Sequence, residues 1–196
     1  MNYKNQIQSV FVLLLLFFSM ATYSQEIKNK ALNKAYLGGE TAFFNYVNAK
    51  IKYPKKAKTK GLMGLSVFSF RINCQNTPED FIFTTKLGNK IEEELEKVML
   101  KTKGNWAECA KGKTRERIHL KIAFSLNFLY SPKDVDALVD AVGEFKVEKD
   151  EVLNQKMELA LKEKDFKKAK NALDLLLKRY PFNENYKNKL SELESN

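Results

Sequence analysis

The side chains able to do redox or metal chemistry are few in this chain of 196 residues, which contains two cysteines and one histidine. Cys74 and Cys109 do not form a C-x-x-C pair, so neither a thiol-disulfide redox motif nor a zinc knuckle is indicated. His119 has no cysteine beside it and no acidic pattern around it, whereas a metal site needs several converging ligands. We predict a solvated His119 and no metal or other cofactor.

Acid-base and nucleophilic catalysis also lack their usual residue patterns. A nucleophile elbow and a phosphate-binding loop are both missing from the sequence. The carboxylates that cluster are Glu92, Glu93, Glu94 and Glu96. They share one charged helical segment rather than an apolar setting, so we interpret them as a solubilising face. The sequence predicts a protein that is not an enzyme, with a thiol-disulfide or other enzyme as the disfavoured alternative.

The first residues resemble an export signal. Lys4 precedes the apolar run Val10–Phe18, and the small residues Thr22 and Ser24 follow it, which is the signal-peptide pattern. We predict a signal peptide at residues 1–24 and a location in the periplasm, or associated with the envelope, of a Gram-negative cell. An uncleaved anchor is less favoured because a membrane-spanning helix needs about 20 apolar residues.

The net positive charge by itself excludes few classes of partner. The formal net charge is +10, but the lysines are spread along the chain without interleaved aromatic residues or a nucleic-acid motif. We therefore expect a solvated basic surface and no nucleic-acid partner. A weak peripheral contact with an anionic membrane surface stays open as an alternative.

In the middle of the chain, the spacing of the apolar residues changes from that of a strand to that of a helix. Gly64 opens a strand in which Phe68, Phe70 and Ile72 face one side, and the periodicity becomes helical after Asn89. Strands are predicted at 64–73, 80–88 and 115–127, with a helix at 89–104. This order predicts an α+β fold, in which a small antiparallel three-stranded sheet packs against a helix.

The predicted topology bears on the cysteines. A helix returning after the second strand would bring Cys109 to the hairpin that contains Cys74, and an exported chain meets oxidising conditions. A structural disulfide between them is therefore the favoured interpretation, and two unpaired thiols are the alternative. Closing a loop of roughly 35 residues would stabilise the fold by about 3 to 4 kcal/mol.

A set of motifs resembles the TonB C-terminal domain as it occurs in exported Bacteroidetes-type proteins. The marks are, in chain order, Tyr53-Pro54, Ala57, the strand start at Gly64, the strand end at Gly88, and Trp106. The resemblance covers 38–128, preceded by a predicted linker at 25–37. Pro54 is suited to begin a short helix and Gly61 to end it in a left-handed conformation, so these residues are interpreted as structural.

The resemblance implies protein recognition by strand addition at a sheet edge. We predict the last strand as that edge. The partner-binding residues predicted on it are Arg115, Arg117, His119, Lys121 and Ser125. A TonB-type transducer is disfavoured because the linker reaches at most roughly 50 Å. We expect a non-catalytic envelope module that binds a protein, with an accessory of TonB-dependent transport that binds outer-membrane receptor segments as the alternative. The oligomeric state is left open.

The C-terminal segment, 131–196, has helical patterns. Ser131 and Pro132 resemble a helix start, followed by apolar residues at helical spacing (Val135, Leu138, Val139 and Val142). Further on, Phe166, Ala169, Leu173 and Pro181 have the spacing of a single tetratricopeptide repeat. Such repeats usually need about three copies to be stable. These helices must therefore pack on the sheet domain, on a second copy or on a partner, either as a docking surface or as a cap.

Overall fold

The computed structural model of the chain describes residues 29–108 and 116–195. The predicted signal peptide and two of the predicted functional residues, Cys109 and Arg115, lie outside these ranges. Within them, every helix is too short or too polar to span a lipid bilayer.

The described residues form an α+β fold, as predicted. The helices are α1 (Lys30–Ala35), α2 (Gly39–Lys50), α3 (Lys55–Thr59), α4 (Ile91–Leu100), α5 (Asp150–Lys162), α6 (Phe166–Arg179) and α7 (Glu184–Glu194). The strands are β1 (Gly64–Ile72), β2 (Pro78–Thr85), β3 (Ile118–Leu126) and β4 (Ala137–Ala141). The three strands and the helix expected in the middle of the chain are thereby confirmed.

The sheet has four strands in the order β2-β1-β3-β4. β1 pairs antiparallel with β2 and with β3, whereas β4 pairs parallel with β3. The prediction of a purely antiparallel three-stranded sheet is therefore wrong, because a strand from the C-terminal segment completes it.

That fourth strand replaces the helix predicted to begin at Ser131. In β4, Ala137 and Val139 are buried while Val142, just beyond it, is exposed, so burial follows the two-residue period of a strand. The apolar residues of this stretch fit both the helical and the strand period. A short run of this kind cannot be assigned from spacing alone. Main-chain pairing with β3 favours the strand. The pairs run from Ile122 with Ala137 to Leu126 with Ala141.

The hydrophobic core lies on one face of the sheet. Phe70 and Phe43 both contact Trp106, with ring centroids 5.8 Å away in each case, and the Trp106 indole N–H donates 3.0 Å to Thr102 Oγ1. Leu32 of α1 is fully buried in the same core. The described part of the predicted linker is therefore a packed helix.

The Tyr53-Pro54 segment is structural, as predicted. Pro54 is the N-cap of α3 and Ala57 is fully buried. Gly61 has φ +60, and a Cβ there would lie 2.0 Å from the carbonyl oxygen of Lys146. Only glycine fits both the left-handed backbone and this close approach.

The C-terminal helices pack on one another and on the sheet. α5 and α6 share a small buried cluster, formed by Leu153, Met157, Ala172, Leu173 and Leu176. The C-terminus of α6 reaches the sheet, where the Tyr130 hydroxyl donates a hydrogen bond to the carbonyl oxygen of Arg179. On α6, Ala169 and Leu173 of the predicted face are buried, whereas Phe166 is 43% exposed. The likeness of this segment to a tetratricopeptide repeat stays a prediction.

Candidate partner-binding site

The sheet face opposite the core is only partly covered. His119 and Lys121 of β3 are exposed on it, and Val67 of β1 is half-buried. Lys121 pairs with Val67 across the two strands, so these side chains lie side by side. This face is the surface on which the sequence placed its candidate residues.

β3 is not a free edge, which corrects the prediction. β4 covers Ile122 to Leu126, and Ser125 is fully buried. The Ser125 hydroxyl oxygen accepts a hydrogen bond of 3.1 Å from the main-chain N–H of Tyr130. Ser125 therefore stabilises the chain after β3 and is inaccessible to a partner.

The first half of β3 pairs with β1 on one side, and on its outer side no strand lies beside it among the described residues. Two side chains bond to its outer side instead. Asn29 Nδ2 donates 2.9 Å to the His119 carbonyl oxygen, and Asp136 Oδ2 accepts 2.6 Å from the Lys121 N–H. The main-chain N–H and carbonyl of one residue in an antiparallel strand point to the same side, so the His119 N–H also faces outward. Among the described residues, no acceptor forms a hydrogen bond with this N–H.

We call the outer side of residues 118–121, which β4 leaves uncovered, the half-edge of β3. Two cavities lie along this half-edge. One of about 430 Å³ is lined by Asn29, Val67, His119, Leu120, Lys121, Asp134, Val135 and Asp136. Another of about 310 Å³ is lined by residues that include Lys121, Tyr130, Lys133, Asp134, Tyr180 and Phe182. Because both are lined by Lys121 and Asp134, they form one surface, which we call the sheet groove.

Charges of both signs line the sheet groove. Lys121 and Lys133 are exposed, and neither ammonium lies within 4.0 Å of a carboxylate in the described ranges. Asp136 is occupied by main-chain hydrogen bonding to Lys121. The two lysines are therefore the cations available to a ligand.

Arg117 is not available in the same way. Its guanidinium forms an ion pair with Asp80 and donates 3.2 Å to Ser69 Oγ and 2.8 Å to the Asp80 carbonyl oxygen. The side chain ties β3 to β2 across β1. Of the residues predicted to bind a partner, the structure brings His119 and Lys121 together at the groove and gives Arg117 and Ser125 structural contacts.

The far wall of the groove is a polar network at the end of α6. The buried Arg179 guanidinium is paired with Asp150 and donates 2.8 Å to the Glu148 carbonyl oxygen, while the Tyr180 hydroxyl donates to Asp150. Burial, followed by this hydrogen bond, raises the pKa of Tyr180 to about 12. Burial raises the pKa of Tyr130 still further. Both phenols stay neutral near pH 7 and hold this wall in place.

The opposite edge of the sheet is less suited to strand addition. β2 is irregular, with register shifts against β1 and a left-handed Asp80 at φ +54. At its end, Thr85 Oγ1 donates 2.7 Å to the Leu65 carbonyl oxygen and accepts 2.8 Å from the Val67 N–H. Bulges and charged residues of this kind protect an edge against pairing.

The structure also describes Cys74 and the motif residue Gly88. Cys74 is disulfide-bonded, and Cys109, the other cysteine of the chain, lies outside the described residues. Gly88 has φ +76 and begins the turn into α4. In the ranges described, no three His, Cys, Asp or Glu side chains are grouped closely enough to hold a metal ion.

Sequence reasoning missed Asn29 and Asp136. Asn29 carries a helix-capping signal, because it precedes α1 and accepts from the Leu32 N–H, but its second bond spans 90 positions and has no local signature. Comparisons with protein-family models, with curated proteins and with solved structures gave no match to this chain.

Proposed function

We propose that the chain is a non-catalytic protein-binding module of the cell envelope, which takes an extended segment of its partner into the sheet groove. The observation that carries this proposal is the outward main-chain N–H of His119 beside a cavity of about 430 Å³. An extended peptide adds to such an edge through main-chain hydrogen bonds, and the side-chain pockets provide specificity.

The lining favours a particular kind of segment. Val67 and Val135 offer apolar contact, and Lys121 and Lys133 offer cations without described ion-pair partners. A short segment with an apolar residue next to an acidic one matches this pattern. Because β4 already pairs with Ile122 to Leu126, the segment has room for only a few residues on β3.

Further support comes from the resemblance of the sequence to the TonB C-terminal domain, a family of protein-binding domains. On that basis we propose an exported protein that acts in the periplasm or at the envelope, and outer-membrane receptor segments are one class of partner to be tested. The α5–α6 hairpin, proposed to be tetratricopeptide-like, would serve as a secondary contact surface.

Photo-crosslinking in the native cell tests the proposal. A crosslinking amino acid replaces His119, which keeps the main-chain N–H, and in separate proteins it replaces Ile82 on β2 or Lys170 on α6. We expect a defined protein adduct from position 119 and none from position 82. Adducts from position 170 alone would contradict binding at the groove and would make the helices the binding surface.

A further inference from the structure

A second exposed surface lies where β3 and β4 end. Phe128, Leu129 and Val142 are 66%, 52% and 77% exposed, and we call these three residues the apolar tip. They are held together because the Asn127 side chain accepts 2.9 Å from the Gly143 N–H and donates 2.9 Å to its carbonyl oxygen. The tip is therefore an ordered projection.

The backbone of the tip is held in an unfavourable conformation. Asn127 and Phe128 have φ values of 53 and 55. Asparagine tolerates the left-handed region, but a bulky residue such as phenylalanine rarely adopts it. Asp140 Oδ1 fixes this geometry by accepting 2.9 Å from the Phe128 N–H. A strained backbone that keeps a large apolar side chain in solvent is typical of a functional contact.

Basic residues adjoin the tip. The chain from Val142 continues to Lys146, whose carbonyl oxygen lies against Gly61 at the end of α3. This contact places Lys60, which precedes Gly61, beside the loop that follows the tip, and the other lysines lie on the short helix that ends there. We call Lys55, Lys56, Lys58, Lys60 and Lys146 the lysine cluster.

The lysine cluster carries uncompensated charge. None of its ammonium groups lies within 4.0 Å of a carboxylate in the described residues. Of the nearby acidic side chains, Glu148 is paired with Lys156 at 2.8 Å, and Asp140 is bonded to the tip itself. Glu144 is exposed in the connecting loop and is the main opposing charge.

We propose that the apolar tip inserts into the interface of an anionic phospholipid bilayer while the lysine cluster contacts the lipid headgroups. Apolar side chains flanked by lysines bind such interfaces by combining apolar burial with electrostatic attraction. The tip follows the end of β3 at Leu126, which lies about 23 Å from His119 at the usual rise of a strand. The half-edge at His119 would thus stay accessible to a protein partner on a membrane-bound chain.

A local fluorescent reporter tests this proposal on the full chain. The variant Phe128→Trp places an indole at the tip, and Ile82→Trp is the matched control on β2. The native Trp106 is 1% exposed and gives the same background in both. Vesicles of phosphatidylcholine are compared with vesicles of phosphatidylcholine and phosphatidylglycerol. We expect a blue shift and quenching by brominated lipids for Phe128→Trp on the anionic vesicles alone, and no change for Ile82→Trp.

The lysine cluster is tested in the same Phe128→Trp protein. Lys55→Gln and Lys60→Gln should each raise the lipid concentration at half-maximal shift by about fivefold. Because the reporter is local, binding through another part of the chain does not move its emission. The proposal is overturned if emission at position 128 is unchanged, if both vesicle types give the same shift, or if Ile82→Trp shifts equally.

Discussion

The side-chain amide of Asn29 donates a hydrogen bond of 2.9 Å to the main-chain carbonyl oxygen of His119. The same side chain accepts 3.0 Å from the Leu32 N–H and so caps α1. One residue therefore fixes the start of the described fold and occupies part of the β3 half-edge. A partner strand that uses the His119 carbonyl competes with this amide for the same oxygen.

The two bonds of Asn29 can be separated by substitution. Asn29→Asp keeps the capping oxygen but loses the donor to His119, so we expect a loss of about 1 kcal/mol in the free energy of unfolding. Asn29→Ala loses both, and we expect about 2 kcal/mol. Urea denaturation measures both values. If Asn29→Asp were as stable as the wild type, the bond to His119 would contribute nothing.

Removing both side chains that bond to the half-edge should promote self-association. In the double variant Asn29→Ala with Asp136→Ala, the His119 carbonyl and the Lys121 N–H lose the side chains that bond them, and an unprotected edge pairs readily with another chain. We expect more dimer than in the wild type by sedimentation equilibrium. Adding His119→Pro, which removes one donor, should reverse the effect. A double variant with the wild-type distribution would show that other groups protect the edge.

Alkaline pH tests the polar network at the end of α6. The pKa of Tyr180 is raised from 10.0 to about 12, chiefly by burial. The fold favours the neutral phenol, so its stabilising contribution is complete below pH 10 and is lost as the pH rises from 10 to 12. Tyr180→Phe should show a shallower fall in stability across this window. Parallel curves of stability against pH for the two proteins would contradict the assignment of this loss to Tyr180.

Replacing the strained residue of the apolar tip should not weaken the fold. Phe128 has φ 55, so Phe128→Gly relieves a strain of about 1 kcal/mol, partly offset by the flexibility that glycine adds to the unfolded chain. We expect unchanged or higher stability in urea. The matched control, Leu129→Gly, lies outside the left-handed region and should be destabilised. Equal losses in both would argue against strain at position 128.

Part of the fold follows from local sequence patterns. Phe68, Phe70 and Ile72 alternate on β1 and are buried, because one sheet face packs on the core. Gly61 adopts the left-handed conformation expected of it. The helix predicted from position 89 begins instead at Ile91, after Lys90 in a left-handed conformation. The Glu92 carboxylate holds the preceding turn by accepting from the Leu87 N–H at 2.6 Å.

The rest depends on pairings between distant segments. Ala137 to Ala141 fit a helix as well as a strand, and the choice is made by parallel pairing with β3, which spacing does not encode. Ser125 was expected at an accessible edge because it lies on the polar side of its strand, yet β4 and Tyr130 bury it. For the same reason the candidate site, predicted along the whole of β3, is confined to its first half.

Comparing His119→Pro with His119→Thr tests the central claim most directly. Both variants lose the imidazole, but only proline removes the outward N–H, and an edge position tolerates proline. A crosslinking amino acid at Val67, in the wall of the groove, reports partner binding in the native cell. Binding of a partner strand predicts adducts with His119→Thr and none with His119→Pro. Equal adduct yields in the two folded variants would contradict it.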